Sequence, residues 1–166
     1  MVVKYKTTTR NSTKKSSSVV SYISKNYKRK TIKILDFGSG TGRNSKSLRR
    51  RKFTKVTEYD PNIKGKTRKP TGSYDVVICN YVLNILPQTQ RSRVIKELDR
   101  LRWKTLIIEV RPKIDDIDRH WKKHSDGFVS PANTFQKVIS DSSLKRLRIR
   151  ATTKEILWKG CIKLTR

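Results

Sequence analysis

Residues 33–44, KILDFGSGTGRN, constrain the fold more than any other stretch of the chain. An apolar run meets an acid at Asp36, and Gly38, Gly40 and Gly42 follow at alternate positions. Glycines in that spacing permit positive φ and let a ligand lie against bare main chain. A strand that turns into a helix there also aims free amides at the ligand, which favours an anionic group. The spacing is G-x-G-x-G. A dinucleotide fingerprint asks for G-x-G-x-x-G, and a phosphate-cradling loop asks for G-x-x-x-x-G-K-[ST]. Neither pattern is present.

Hydrophobic period places elements around this turn. Val19, Val20, Tyr22, Ile23 and Tyr27 recur at helical intervals within residues 16–29, with Ser16 or Ser17 at the cap. Strands are expected over 31–37 and 55–60, with a short basic helix over 43–51 between them. Residues 61–73 form a Pro/Gly/Lys loop without apolar period. Residues 74–83, YDVVICNYVL, are a nearly continuous apolar run of the parallel-sheet kind. Val94, Ile95, Leu98 and Leu101 mark one face of a helix over 88–103, and a strand follows over 104–110. Residues 111–133 read as irregular or partly helical, and 134–140 as a turn or short helix. Two antiparallel strands are expected over 144–153 and 154–165. This order predicts an α/β fold, an open and mostly parallel sheet with an antiparallel C-terminal strand. Asp36, Asp60, Asn80 and Glu109 then fall at or near strand ends, where such sheets bind ligands.

The chain has 166 residues, with 41 Lys or Arg against 13 Asp or Glu, a formal net charge of +28. That length suits one domain with a real core. Residues 1–15 are read as a mobile basic arm and 16–166 as the single domain. The charge implies attraction to polyanions, nucleic acid above all, although Lys spread over solvated faces would give the same total. No apolar run approaches ~18 residues, which excludes a transmembrane helix, and the basic N-terminus lacks the apolar stretch of a secretory signal. Cys79 and Cys161 lie in apolar runs and read as reduced, buried thiols of a cytoplasmic protein.

Asp60 sits about 18 residues beyond Gly42, where an acid accepts both hydrogen bonds of a ribose diol. With it, ILDFGSGTGRN, VTEYDPN and YDVVICNYVLNILP resemble, in order and spacing, motif I, the acidic second-strand motif and motif IV of class I S-adenosylmethionine-dependent methyltransferases. The resemblance covers roughly residues 31–111. It implies a Rossmann-like sheet and S-adenosylmethionine as cofactor. It also implies that Asp36, Gly38, Ser39, Gly40 and Gly42 lie by the methionine end, while Asp60 and Pro61 lie by the ribose. The family usually inserts a helix and a strand between the ribose acid and motif IV. Here only PNIKGKTRKPTGSY separates Asp60 from Asp75, so the third strand and its preceding helix are expected to be reduced to a basic loop. This trimmed layout, with DGFVSPANTFQ further on, resembles small methyltransferases of phages and bacterial DNA-modification loci.

Amino-methylating members end their fourth strand in Asp/Asn-Pro-Pro-aromatic. Cys79-Asn80-Tyr81-Val82 stands in that place without the prolines. Asn80 and Tyr81 are therefore candidates to orient an acceptor amine and stack on a base. The alternative leaves Asn80 on the cofactor alone and Tyr81 as wall packing. Asn84 reads as a turn or cap residue, Glu109 as the partner of Arg111 in a strand-end salt bridge, and Cys79 as core rather than nucleophile. His120 and His124, with Asp115, Asp116 and Asp118, read as a solvated segment; the H-x-x-x-H spacing would put both on one helix face, yet no metal is expected there. The reading as a whole is a methyltransferase acting on DNA or RNA. Its rival is a catalytically degenerate chain of the same fold that binds nucleic acid or a partner subunit.

Overall fold

The computed structural model describes residues 17–112 and 120–166. The expected basic arm, and Asp115, Asp116 and Asp118, lie outside the described residues. Ser17 caps helix α1 (Ser18–Asn26) by accepting from the Val20 amide at 3.3 Å. The helix buries Val19, Val20 and Ile23. Strand β1 (Lys33–Phe37), helix α2 (Arg43–Arg50) and strand β2 (Lys55–Tyr59) follow. Between Tyr59 and Ser73 there is no helix or strand, as the short spacer requires. Strand β3 (Ser73–Asn80), a 3-10 turn over Leu83–Ile85, helix α3 (Gln88–Arg100) and strand β4 (Arg102–Glu109) come next. β5 (Lys122–His124), β6 (Gly127–Val129) and β7 (Phe135–Gln136) precede helix α4 (Asp141–Lys145) and the hairpin β8 (Thr153–Trp158) and β9 (Cys161–Thr165).

Six strands form one sheet in the order β2-β1-β3-β4-β9-β8. β2, β1, β3 and β4 run parallel, while β9 runs antiparallel to both β4 and β8. The chain steps from β1 outward to β2 and returns to β3 on the other side of β1. That reversal opens a crevice at the carboxyl ends of β1 and β3. Alternate residues of the central strands feed two cores. Leu35, Val77, Leu106 and Ile108 pack with Leu98, Trp103 and Leu144 on one face. Ile34, Val76, Ile78 and Ile107 pack with α1 and Leu48 on the other.

The structure corrects the sequence reading toward the C-terminus. Helix α3 stops at Arg100 rather than Trp103 because side chains take over its last carbonyls. The Trp103 indole donates to the Leu98 carbonyl at 2.9 Å, and Arg166 donates to those of Asp99 and Leu101 at 2.8 Å each. Residues 144–153 are no strand. Ser140 caps α4 there, and Leu147, Ile149 and Ala151, which alternate like a strand, pack from a loop beyond the helix end. Only Thr153 of that stretch is extended; it opens the closing hairpin, which otherwise lies in the last run and turns at Lys159-Gly160. Residues 122–136, expected to be irregular, form a small antiparallel sheet in the order β5-β6-β7. His124 lies in β5, so no helix face joins it to His120. Asn84 is no cap. It is buried, and its side-chain amide donates to Gln136 at 3.1 Å, tying the small sheet to the 3-10 turn.

Candidate active site

β1 carries Asp36 into the crevice and ends at the glycine turn. The amides of Gly38 and Ser39 donate to the Tyr59 carbonyl at 2.7 and 3.0 Å, which fixes the turn against β2. Gly38 has φ +72, and a Cβ there would stand 2.4 Å from Cγ2 of Val82. Gly42 has φ +78, and a Cβ there would stand 2.6 Å from Oε2 of Glu58. Both positions therefore exclude side chains on two separate counts. The Ser39 hydroxyl oxygen is buried without a hydrogen-bond partner.

Asp36 is buried beside α2. Its Oδ2 accepts from the Ser45 hydroxyl at 2.7 Å and the Ser45 amide at 3.2 Å. Burial pushes its carboxyl up to about 6, against the opposing pull of the Ser45 hydrogen bond. The folded chain thus holds this proton to a higher pH than the unfolded chain, whose carboxyl sits at its ordinary 3.8. Stability from this group is full below about pH 4 and is lost as pH rises through about 6, a cost of about 3 kcal/mol above that window. Asp36→Asn should flatten the stability difference between pH 4 and 7 and should exceed wild type at pH 7. Urea midpoints at each pH measure this, and parallel pH profiles for the two proteins would contradict it.

Asp60 stands at the end of β2. Its Oδ2 accepts from the Gly40 amide and its Oδ1 from the Asn62 amide, both at 2.9 Å. Each carboxylate oxygen keeps a further lone pair for a diol. Pro61 is exposed and opens the turn beyond it. Sequence reasoning missed the group that locks this corner. Lys66 donates to the Gly40 carbonyl at 2.8 Å and pairs with Glu58 at 2.5 Å; Arg49 pairs with the same carboxylate at 2.5 Å. Burial alone would raise the Glu58 carboxyl, but Lys66 and Arg49 hold it below its ordinary value. The available signal was position: Glu58 lies two residues before Asp60 and so shares its face of β2.

β3 and β4 end side by side, with Asn80 in register with Glu109. The Tyr81 amide donates to the Glu109 carbonyl at 2.7 Å, and Tyr81 turns out of the strand at φ 56. The residue is 45% exposed. Partial burial, together with the Glu109 charge, pushes its hydroxyl up to about 12. Glu109 is buried, and instead of an ion pair with Arg111 it accepts from the Trp158 indole at 3.0 Å. Asn80 Oδ1 is buried without a partner, and the Glu109 carboxylate is met by the side chains of Trp158, Tyr81 and Asn80. Burial raises the Glu109 carboxyl against hydrogen bonds led by Trp158. Cys79 and Cys161 are buried free thiols whose burial opposes the thiolate, which disfavours a nucleophilic role. Among the described residues, no group of three or more His, Cys, Asp or Glu is placed to hold a metal, and no helix is long and apolar enough to cross a membrane.

A family model described as a methyltransferase domain matches residues 9–148. The chain belongs to this methyltransferase family. Solved structures of like fold agree. Magnesium protoporphyrin IX methyltransferase from Synechocystis PCC 6803, with bound S-adenosylhomocysteine, superposes at TM-score 0.61 and 18% identity, over 90% of this chain and 80% of that one. The 1,6-didemethyltoxoflavin-N1-methyltransferase of Burkholderia thailandensis gives 0.61 and 13%, over 89% and 76%. The Pnkp1/Rnl/Hen1 RNA repair complex gives 0.59 and 14%, over 90% of this chain and 40% of the matched one. No curated protein matches the sequence.

The methyltransferase uses S-adenosylmethionine, which supplies a sulfonium methyl when bound. The crevice fits that molecule on its own evidence. The orphaned Ser39 hydroxyl and Asn80 Oδ1 are polar atoms that want a ligand, and beside Gly40 there is open space, with nothing within 4 Å of where a Cβ would stand.

Proposed function

We propose that this methyltransferase acts on nucleic acid, with Asp36, Gly38, Ser39, Gly40 and Gly42 around the methionine end of the cofactor and Asp60 and Pro61 around its ribose. The observation that carries the reading is the basic loop in place of the family's third strand. Lys66 holds this loop against the glycine turn, while Lys64, Arg68 and Lys69 of the same loop stay exposed. Exposed cations on a loop tied to the glycine turn offer phosphate contacts near the proposed cofactor site. The formal net charge of +28 adds long-range attraction. The RNA repair complex of like fold is in keeping with such a substrate.

The test is transfer of radiolabelled methyl from S-adenosylmethionine to purified DNA and RNA. Label that reached only protein or small molecules would end the proposal. Affinity for nucleic acid should fall linearly with salt on logarithmic axes. The Lys64→Ala, Arg68→Ala and Lys69→Ala triple variant should lower that slope by about 0.9 for each lost contact with duplex phosphate. An unchanged slope would move the contact surface elsewhere.

A further inference from the structure

The amino ends of the strands, at the pole opposite the crevice, carry a row of cations that the proposed site does not use. Lys55 opens β2 in register with Lys33, which opens β1. Next across the sheet is Asp75 of β3, whose Oδ2 accepts from the Lys33 amide at 2.8 Å. Lys104 of β4 follows and pairs with Asp75 Oδ1 at 2.8 Å. Three lysines and one aspartate thus stand side by side on four adjacent strands, and all three lysines are exposed. Arg102 is exposed two residues before Lys104. Hydrogen bonding from Lys104, with the charge of Arg29 also near, holds the Asp75 carboxyl below its ordinary value.

Two features of this pole cost stability. Lys33 and Lys55 are like charges on strands about 4.8 Å apart, and they repel. Lys52 closes α2 with φ 70. There the Phe53 amide donates to the Leu48 carbonyl at 3.1 Å and the Lys52 amide to the Arg49 carbonyl at 2.9 Å, a closure that ordinarily takes glycine at position 52. The helix dipole accounts for Arg49 and Arg50 in the last turn of α2. It does not account for Lys33 and Lys55, which open strands. The loops that carry these cations are joined to each other. The Thr54 amide donates to the Lys30 carbonyl at 3.1 Å, and Lys30 Nζ lies 4.2 Å from the centre of the Phe53 ring.

A row of cations on a sheet is complementary to a row of phosphates, and a phosphate backbone would relieve the repulsion between Lys33 and Lys55. The rings at this pole say which backbone fits. Phe53, Tyr74 and Trp103 are buried, Phe53 under Lys30 and Trp103 under the Arg166 guanidinium at 3.9 Å. A single strand is held by stacking its bases on open rings. A duplex keeps its bases inside and presents phosphates. We propose that the amino ends of β1, β2 and β4 form a docking face for the phosphate backbone of a nucleic-acid duplex, separate from the crevice. β4 runs over 8 residues from Arg102 to Glu109, which sets the face roughly 23 Å from the strand ends at the crevice. It touches neither cofactor nor acceptor, and it anchors the chain on duplex without entering the chemistry. The face is independent of which molecule accepts the methyl group.

The experiment titrates a DNA duplex of about 20 base pairs against the full chain at several salt concentrations. The Lys33→Ala, Lys55→Ala and Arg102→Ala triple variant should lower the slope of log affinity against log salt by about 0.9 for each lost contact. Its affinity for S-adenosylmethionine, read by calorimetry, should stay within about twofold of wild type, as the roughly 23 Å separation requires. A second triple variant removes the same charge from exposed sites on α3 and at the end of α4: Arg93→Ala, Lys96→Ala and Arg146→Ala. Its slope should stay within about 0.5 of wild type. Lys52→Gly should raise the urea midpoint and weaken duplex binding at once, opposite signs that a purely structural lysine would not give. If the first triple variant does not fold, Lys52→Gly decides. Equal slope losses in the two triple variants would overturn the face and leave only a diffuse field. A single strand that loses as much affinity as the duplex would overturn the duplex as occupant. Methyl label that reached no nucleic acid would end the acceptor reading above and leave this face standing, because the titration needs no transfer.

Discussion

Asp60→Ala should weaken binding of S-adenosylmethionine by at least about a hundredfold, because each charge-assisted hydrogen bond to a ribose hydroxyl is worth about 1.5–3 kcal/mol. The substitution also releases the Gly40 and Asn62 amides that Asp60 now accepts, so part of the loss comes from a loosened glycine turn. Asp60→Asn separates the two effects. Its carbonyl oxygen can still accept from Gly40, but its charge and one acceptor are gone, so it should fall between wild type and alanine. Calorimetric titration of S-adenosylmethionine and its demethylated product reads both variants. An unchanged Kd in folded Asp60→Ala would place the ribose elsewhere, with Glu58 the next carboxylate along β2.

Leu106→Ala should cost about 2–5 kcal/mol of folding stability. Leu106 is fully buried at the middle of β4, paired with Val77 of β3 on one side and Leu164 of β9 on the other. Three strands and the α3 face close around it, so the cavity has little freedom to collapse. Such a loss is a large part of the stability typical of a domain. Val138→Ala, at a half-exposed side chain, should stay within about 0.5 kcal/mol. Urea midpoints at equal m-value measure both. A cost below about 1 kcal/mol at Leu106 would mean that β4 does not lie at the centre of the sheet.

Much of the geometry on which the proposed cofactor site rests was legible in the sequence. The glycines at 38, 40 and 42 and the acids at 36 and 60 are local signals, a few residues apart or one βαβ step apart, and hydrophobic period brackets them. The short spacer after Asp60 also spoke for itself, since PNIKGKTRKPTGSY is too short for a helix and a strand. The contacts of Glu109 and Asn84 were not legible. Glu109 meets Trp158 across 49 residues, and Asn84 meets Gln136 across 52. No periodicity reports such pairs. Residues 144–152 misled for a related reason: Leu147, Ile149 and Ala151 alternate like a strand, yet the Ser140 cap and the reach of Asp99 to the Arg150 amide at 2.8 Å turn the stretch into a helix end and a loop.

The sequence by itself determined the parallel α/β order, the glycine turn and the place of the acid opposite it. Each of these follows from backbone freedom and apolar spacing within one strand-turn-helix unit. Only the tertiary structure decided that Lys66 clamps the turn through Glu58, that Tyr81 leaves its strand with a left-handed backbone, and that Asn80 and Glu109 come side by side at the ends of β3 and β4. Those facts depend on which strands become neighbours. Neighbourhood in a sheet is settled by the burial of both faces at once, a sum over the whole chain that no short stretch contains.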